Sequence, residues 1–206
     1  MPSLWWQQLR RIATLAVVAC LTVARSSGAG QCPPEGDTPD SLEAKLNRLK
    51  NRIEQPSQPI SITIGSLLSE GDDYERWNNR LAATVEGYVV GVRTGPPESC
   101  NCHARAESGR DTHIELATEP GETRGWRLVI SEVTPKWRDK MRGKALDWST
   151  DGLKQTILGR RVRVTGWLFF DTEHAGDARN TAPPRRGNAR GTAWEIHPVT
   201  AIQFVN

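Results

Sequence analysis

The sequence predicts a mainly β protein: a five-stranded OB-like barrel with the chain order β-β-β-α-β-β, preceded by an amphipathic N-terminal helix. Residues 81–206 contain five segments rich in β-branched and aromatic residues, and the first is long and interrupted by glycines. The helical pattern in this region falls between the third and fourth segments. An SH3-like barrel usually lacks this helical insertion, and an immunoglobulin-like sandwich needs about seven strands with no helix in the middle.

The first two strands have the clearest β pattern. LAATVEGYVVGVRTG, residues 81–95, contains Gly87 and Gly91, and glycines inside a long strand mark a bend or a bulge. THIELA then alternates, with Ile114 and Leu116 facing the barrel interior and the charged residues facing outward. The pattern predicts a sharply bent first strand followed by a short second strand.

The rest of the barrel follows in order. WRLVISEV predicts a third strand that Pro135 ends, and helical material follows it, most clearly DGLKQTIL before Gly159. RRVRVTGWLFFD predicts the fourth strand, with Val162 and Val164 on the interior face, and TAWEIHPVTAIQFV predicts the last. We expect the third strand to lie beside the second and the fifth, as in an OB barrel.

The N-terminus has the pattern of a secretory signal peptide. Arg10 and Arg11 precede the apolar run IATLAVVACLTV, and small residues follow it as far as Ala29. This run falls short of the roughly 20 residues that span a bilayer. We therefore expect residues 1–29 to be removed, leaving a secreted or periplasmic protein without a membrane span.

A helix and a linker, residues 30–80, are expected ahead of the barrel domain at 81–206. Within residues 41–54, apolar side chains recur every three or four positions and form one stripe on a helix, namely Leu42, Leu46, Leu49 and Ile53. Thr38 is the expected N-cap. The stripe needs a surface to cover, either on the barrel or on a protein partner.

The charge argues against a protein that binds nucleic acid mainly by electrostatics. The chain has 27 Lys and Arg residues against 24 Asp and Glu residues. Because the predicted signal peptide takes three arginines with it, the mature chain has no net charge. Affinity through counterion release needs a strong positive excess, so the case for nucleic acid is weak.

Three cysteines remain after removal of the signal peptide. In an oxidising compartment we expect one disulfide, either Cys100 with Cys102 or Cys32 with one of these two. Free thiols and a zinc site formed by Cys100, Cys102 and His103 remain as alternatives. Cysteines that bind zinc are more often two to four residues apart, which weakens the second alternative.

Four segments together resemble a set of uncharacterised secreted bacterial proteins with an OB-fold-like domain. They are GYVVGVRTGPPESCNC, DTHIEL, VTGWLFFDTEH and TAWEIHPVT, and the resemblance covers roughly residues 81–206. It implies the fold and an exported protein. The resemblance brings no assigned activity, so the candidate site residues must be inferred from the chemistry of their side chains.

Histidines and carboxylates at the ends of the predicted strands are candidates for a metal site. Same-face neighbours on a strand lie roughly 6.6–7 Å apart, close enough for two long side chains to reach one ion. The predicted ligands of zinc or another divalent metal are Asp111, His113, His174, Glu195 and His197. A metal-dependent hydrolase of esters or phosphodiesters would then use Glu115 or Glu195 as its base. Alternatives are strand histidines with structural hydrogen bonds only, and a metal-free binding site.

A binding function without a cofactor is the first interpretation. Trp167 and Phe169 lie opposite the interior face of the fourth strand, near Arg161 and Arg163. Aromatic and basic side chains of this kind form the stacking platforms on which OB domains bind oligonucleotides or sugars, unless the N-terminal helix covers them. The sequence thus predicts an exported OB-like binding module for an oligosaccharide, a nucleic acid or an envelope protein, with the metal-dependent hydrolase as the alternative.

Overall fold

The computed structural model describes residues 32–71, 73–181 and 189–205; the predicted signal peptide lies outside this part of the chain. Six strands and four helices follow one another along it. The helices are α1 (Ser41–Lys50), α2 (Ile64–Leu67), α3 (Pro135–Met141) and α4 (Thr150–Ile157). The strands are β1 (Ile60–Thr63), β2 (Ala82–Thr94), β3 (Thr112–Ala117), β4 (Val129–Val133), β5 (Arg161–Phe170) and β6 (Trp194–Phe204).

Five of the strands close into a barrel. The sheet order is β1-β2-β3-β4-β6-β5, and β5 also pairs with β2, which completes the ring. β4 and β6 run parallel, the other barrel neighbours run antiparallel, and β1 adds a sixth strand parallel to β2. The third barrel strand, β4, therefore lies beside the second and the fifth, as predicted. The predicted fold class is confirmed, with β1 as an addition.

The bend in β2 lets one strand join two parts of the barrel. Its first half pairs with β5, its second half pairs with β3, and the register shifts between Val89 and Gly91. A Cβ atom at Gly91 would overlap the carboxylate of Glu115, and one at Gly87 would overlap Ile64. A larger residue at either position would therefore displace the side chain of Glu115 or of Ile64, because these groups approach the strand closely.

The barrel interior is filled by the residues that alternate inward along each strand. They include Val85, Val89, Ile114, Leu116, Val129, Val162, Val164, Leu168 and Ile196, all nearly inaccessible to solvent. In the connection between β4 and β5, helix α4 buries Leu153 and Ile157 against this core, as the DGLKQTIL pattern predicts. α3 begins at Pro135, with Thr134 as its N-cap. The core thus centres on the barrel and includes residues of β1, α2, α3 and α4 that pack against it.

Helix α1 differs from the prediction in its start and its length. It ends at Lys50 instead of residue 54, and its N-cap is Asp40, whose side chain accepts hydrogen bonds from the backbone N–H groups of Leu42 and Glu43. Thr38 hydrogen-bonds to the Glu43 carboxylate, so the expected N-cap is wrong. Aspartate caps a helix well because its carboxylate satisfies free N–H groups and favours the positive end of the helix dipole.

The side of α1 that faces the barrel is polar. Asn47, Lys50 and the following Asn51 are buried, whereas Leu42 is 64% exposed and Ile53 is 53% exposed. The other two members of the predicted apolar stripe, Leu46 and Leu49, are half-buried, so the residues that α1 buries most deeply are polar. The reason is the chemistry of the surface below the helix, which presents charged groups. No helix among the described residues is long and apolar enough to span a bilayer.

Candidate functional site

A cluster of ionisable side chains lies on the outer face of β3, β4 and β6, beneath α1 and the loop of residues 95–111. β3 contributes His113, β4 contributes Glu132, and β6 contributes Glu195 and His197. Asp111 joins them from the position before β3. All five side chains are at most 5% exposed. We call these five residues the buried cluster.

Strand register brings the cluster together. His113 and Glu132 are direct partners in the β3–β4 ladder, and β6 runs parallel beside β4. Alternate residues of a strand point to the same face, so Glu195 and His197 both project toward Glu132. Gly95 makes room for the ring of His113, since a Cβ atom there would lie 2.6 Å from its Nε2.

Glu132 connects the two imidazoles. Its Oε1 lies 3.0 Å from Nε2 of His113, a contact without hydrogen-bond geometry, and its Oε2 lies 3.3 Å from Nδ1 of His197. Burial raises the pKa of Glu132, but the imidazoles outweigh burial and hold it well below its usual value. Burial likewise lowers the pKa of His113, and Glu132 reverses this to a net increase. Glu132 is therefore the anionic centre of the cluster.

The two nitrogens of His197 have different surroundings. Nδ1 lies 3.0 Å from Oε1 of Glu195, a hydrogen bond, and close to Glu132. Nε2 is buried and has no hydrogen-bond partner among the described residues; Oδ2 of Asp111 lies 3.6 Å away. Burial lowers the pKa of His197, so its neutral form is favoured. Nδ1 is thus held by a hydrogen bond, whereas Nε2 faces Asp111 without one.

Asp111 also borders the thiol of Cys100. Its Oδ2 is 3.8 Å from Sγ of Cys100, which is in turn 3.4 Å from Oε2 of Glu98. Burial raises the pKa of Asp111 to about 6, although His197 opposes this increase. Burial also raises the pKa of the Cys100 thiol well above its usual value. Asp111 therefore lies between an imidazole and a thiol, both buried.

His174, one of the predicted metal ligands, belongs to a neighbouring group. Its Nδ1 is 2.8 Å from Oδ2 of Asp171, and this hydrogen bond raises the pKa of His174 to about 9. Nη1 of Arg190 lies 3.1 Å from Asp171 and 3.0 Å from Glu195, so Arg190 joins this group to the buried cluster. Of the five predicted ligands, the structure brings together Asp111, His113, Glu195 and His197, and it places His174 apart.

No family model matches the sequence, and a search of curated proteins found no match. The resemblance to secreted bacterial proteins therefore remains an expectation.

Sequence reasoning missed Glu132. It lies in WRLVISEV, which was interpreted as a strand without functional residues. The available signal was an acidic side chain in a strand of otherwise apolar or small neighbours, on the same strand face as Ile130. A buried carboxylate needs a charged or hydrogen-bonded partner, so this position indicated a polar environment on the outer face.

The two predicted general bases occupy different environments. Glu115 lies outside the buried cluster and pairs with Arg93 at 3.3 Å near the surface. Glu195 lies between His197 and Arg190, and burial together with neighbouring carboxylates raises its pKa well above the usual value. Its protonated form is favoured, and a protonated carboxyl group does not act as a base.

The predicted aromatic platform on β5 is covered. Phe169 is buried and packs edge-on against His197, with Lys50 over its ring at 5.6 Å. Trp167 is half-buried beneath Arg52, whose guanidinium lies 4.6 Å from the ring centroid. Arg161 and Arg163 both pair with the carboxylate of Glu86. The N-terminal segment thus occupies the surface on which a stacked ligand was expected.

Polar contacts hold the N-terminal segment over the cluster. Nζ of Lys50 lies 2.9 Å from Glu98 and 3.3 Å from Glu173. The amide of Asn47 donates to Oγ of Ser99 at 2.9 Å, and that of Asn51 donates to the carbonyl of Cys100 at 2.8 Å. These contacts join α1 to the loop between β2 and β3.

A disulfide makes the same connection covalently. Cys32 is bonded to Cys102, one of the predicted pairings, and Cys100 is free and buried. His103 is exposed and lies 3.1 Å from Asp37, so it takes no part in the buried cluster. The alternative zinc site built from both loop cysteines is therefore wrong, because Cys102 is in the disulfide.

Three groups among the described residues have the ligand spacing of a metal site. In each group, one ligand atom per residue lies within 4.8 Å of the others: Asp111, Glu132 and His197; Glu98, Cys100 and Asp111; Asp171, Glu173 and His174. The first is entirely buried, and it shares Asp111 with the second. The third lies near the surface, and its Asp171 already has two cationic partners.

Proposed function

We propose that this protein is an exported OB-like binding module that holds one divalent metal cation between its barrel and its N-terminal segment. The observation that carries this proposal is the Nε2 atom of His197, which is buried without a hydrogen-bond partner 3.6 Å from Asp111. This separation is long for a hydrogen bond. Two ligands bound about 2.0–2.1 Å from a tetrahedral ion lie about 3.4 Å apart, so an ion fits between the two atoms with little movement.

The other nitrogen of His197 supports the same assignment. A histidine that binds a metal usually donates its second N–H to a carboxylate, which fixes the ring and its tautomer. Nδ1 of His197 has such partners in Glu195 and Glu132. The ring is therefore held with Nε2 directed toward Asp111, and Glu132 is near enough to join as a further ligand.

The balance of charge also favours a cation. Five carboxyl groups lie in and next to the buried cluster: Glu98, Asp111, Glu132, Asp171 and Glu195. Three cationic side chains lie there as well: Lys50, Arg190 and, with a pKa of about 9, His174. Burial raises the pKa values of Asp111 and Glu195, and neighbouring carboxylates raise both further. A bound divalent ion would offset the remaining excess of carboxyl groups, because buried charges require partners.

The location agrees with the fold. OB barrels bind ligands on the face and loops around their second and third strands. The loop between β2 and β3 supplies Asp111 and Cys100, and β3 and β4 supply His113 and Glu132. The barrel thus presents polar groups where the fold binds ligands, while α1 fills the space that an oligosaccharide or a nucleic acid would need.

Hydrolysis is less well supported than binding. A catalytic metal keeps one coordination position open to water and substrate. Asp111, Glu132 and His197 are each at most 5% exposed, and the N-terminal segment lies over them. Export is supported by the Cys32–Cys102 disulfide, since disulfides form in oxidising compartments.

Metal binding is tested directly on the purified protein. Isothermal titration of the demetallated chain with Zn²⁺, together with metal analysis by mass spectrometry, should give one equivalent. His197→Gln should weaken binding more than about tenfold, because a ligand is lost. His103→Gln is the matched control, since this exposed histidine lies outside the cluster, and it should bind as the wild type does.

Two results would refute the proposal. The first is a folded wild-type protein that binds none of Zn²⁺, Co²⁺ and Mn²⁺. The second is equal affinity in His197→Gln and His103→Gln. Circular dichroism of each variant separates loss of a ligand from loss of the fold.

A further inference from the structure

We infer that the N-terminal segment, residues 32–53, is a lid on the metal site, and that reduction of the Cys32–Cys102 disulfide opens this lid and lets the ion leave. The inference rests on the proposed function and adds the regulation of its site. It concerns how an ion reaches enclosed ligands, since Asp111, Glu132 and His197 are each at most 5% exposed.

The lid lies directly over His197. The guanidinium of Arg52 donates a hydrogen bond to the backbone carbonyl of His197 at 3.5 Å. Nζ of Lys50 lies 5.6 Å from the ring centroid of Phe169, and the same ring packs edge-on against the imidazole of His197. Since Lys50 is itself buried, the segment excludes water from this side of the site. An ion can pass through this face only when the segment moves.

One end of the lid is anchored to the body of the protein without the disulfide. The backbone carbonyl of Arg52 accepts a hydrogen bond from the indole N–H of Trp137 at 2.8 Å, and its guanidinium donates to the carbonyl of Asn79 at 2.7 Å. Trp137 belongs to the packed core, so this anchor is firm. The anchor at Arg52 is therefore the hinge about which the rest of the segment would turn.

The other end of the lid is held by the disulfide. Beside it, the N–H of Asp37 donates to the carbonyl of Ser99 at 3.2 Å, and a Cβ atom at Gly36 would overlap the same oxygen. The segment thus lies against the loop of residues 95–111 through backbone hydrogen bonds, each of which contributes little by itself. The bond between Cys32 and Cys102 keeps these groups close together, so that a hydrogen bond that opens forms again.

The turn that carries the disulfide is strained and accessible. Cys102 and His103 have φ angles of 51° and 49°, in the left-handed region that residues other than glycine seldom adopt. Such strain persists only where the surrounding structure holds it, and the bond to Cys32 is part of that structure. Both bonded cysteines are half-buried, whereas Cys100 is buried, so a reductant can reach the disulfide while the barrel stays folded.

An external dithiol supplies the electrons. One of its thiolates attacks a sulfur of the Cys32–Cys102 bond, and its second thiolate then displaces the mixed disulfide. The dithiol loses two electrons and two protons and becomes a disulfide, while Cys32 and Cys102 gain them as two thiols. The ion keeps its charge. It leaves faster because water reaches the opened site, and attraction between charges is weaker in water than in a buried site.

Zinc release measures the opening of the lid. The full chain is loaded with one equivalent of Zn²⁺, and transfer of the ion to an excess of a chromogenic chelator is followed by absorbance. A phosphine serves as the reductant, since it adds no competing thiol. We expect release at least tenfold faster from the reduced than from the oxidised wild type, and an equally fast release from Cys32→Ser/Cys102→Ser. The phosphine should leave the rate of this double variant unchanged, which makes it the matched control.

A second variant loosens the lid with the disulfide intact. Asn51→Ala removes the hydrogen bonds from this amide to the carbonyls of Pro34 and Cys100 and leaves the ligands in place. Zinc release from the oxidised variant should be several-fold faster than from the wild type. Lys45→Ala, on the exposed side of α1, should release zinc at the wild-type rate.

The outcomes separate the lid from the metal site. Equal rates from the oxidised and the reduced wild type, each with one equivalent of zinc bound, would overturn the lid and leave the metal site. Fast release together with loss of the circular dichroism of the barrel would also overturn the lid, because the whole fold would then open. Absence of zinc binding by the oxidised wild type overturns both proposals. If the double variant does not fold, equal rates in Asn51→Ala and Lys45→Ala overturn the lid.

Discussion

The disulfide between Cys32 and Cys102 should contribute a large part of the stability of this protein. Its replacement in a Cys32→Ser/Cys102→Ser double variant leaves the polar contacts of α1 in place but removes the covalent link. The two cysteines are 70 residues apart in sequence, so the disulfide closes a long loop in the unfolded chain. For such a loop, the chain-entropy relation gives about 4 kcal/mol.

The contribution of the disulfide is large compared with that of a single noncovalent contact of the N-terminal segment. The polar contacts between the segment and the loop are two hydrogen bonds and one buried ion pair. A typical hydrogen bond contributes about 1 kcal/mol. A loss of about 4 kcal/mol should lower Tm by about 10 °C for a chain of this size.

Urea unfolding followed by tryptophan fluorescence and circular dichroism measures the effect. The wild type treated with a reductant should shift to the same midpoint as the double variant, because both lack the link. Cys100→Ser is the matched control, since it removes a cysteine without touching the disulfide, and it should shift far less. A double variant within about 1 kcal/mol of the wild type would refute the reasoning, as would a reduced wild type of unchanged stability.

Three further predictions concern single side chains. The pKa of His174 is raised to about 9, so its ion pair stabilises the fold fully below about pH 6.5 and is lost as pH rises through 9. Because His174 is partly exposed, we expect a loss of only about 1 kcal/mol between pH 7 and 9.5, and His174→Gln should lack this pH dependence in urea unfolding. Lys50→Met should lower the free energy of unfolding by about 3–5 kcal/mol in the same assay, because it leaves buried carboxylates without their cation. Lys45→Met, on the exposed side of α1, should leave the free energy of unfolding nearly unchanged. Equal effects of the two substitutions would contradict this reasoning. Gly36→Ala should destabilise the protein more than Gly121→Ala. Both glycines have positive φ, but a Cβ atom at Gly36 would overlap a backbone carbonyl, whereas one at Gly121 would meet open space. Equal urea midpoints for the two variants would contradict the close contact at Gly36.

Local patterns predicted the barrel because its strands alternate so regularly. Ile114 and Leu116 point inward, and the glycines of β2, the first barrel strand, lie near its bend, as the sequence indicated. The same alternation predicted that His113 and His197 would both face outward. Knowing which face of a strand a side chain lies on, however, does not identify the side chains that it contacts. The predicted strand order placed β4 between β3 and β6, but no local pattern marked Glu132 as the β4 residue that meets both histidines.

The burial of α1 differs from what a contact between its apolar stripe and the barrel predicts, and the cause is physical. The alternative, that the stripe covers a protein partner, stays a prediction. A stripe of leucines predicts an apolar partner surface, but the outer face of the barrel presents ionised groups. Lys50 and Asn47 match that face better than leucine does, because a buried charge without partners is costly. His174 was predicted as a ligand from its position near the end of β5, whereas its hydrogen bond to Asp171 holds it in a neighbouring group.

The polar side of α1 has a consequence for the energetics of access. Lifting a lid from an apolar core exposes hydrocarbon to water and gives a large positive heat-capacity change. Lifting this segment would instead hydrate lysine, asparagine, carboxylate and imidazole groups, which lower the heat capacity. The heat-capacity change of opening should therefore be smaller than for an apolar lid of the same size, and the free energy of opening should curve less with temperature than the free energy of unfolding the barrel.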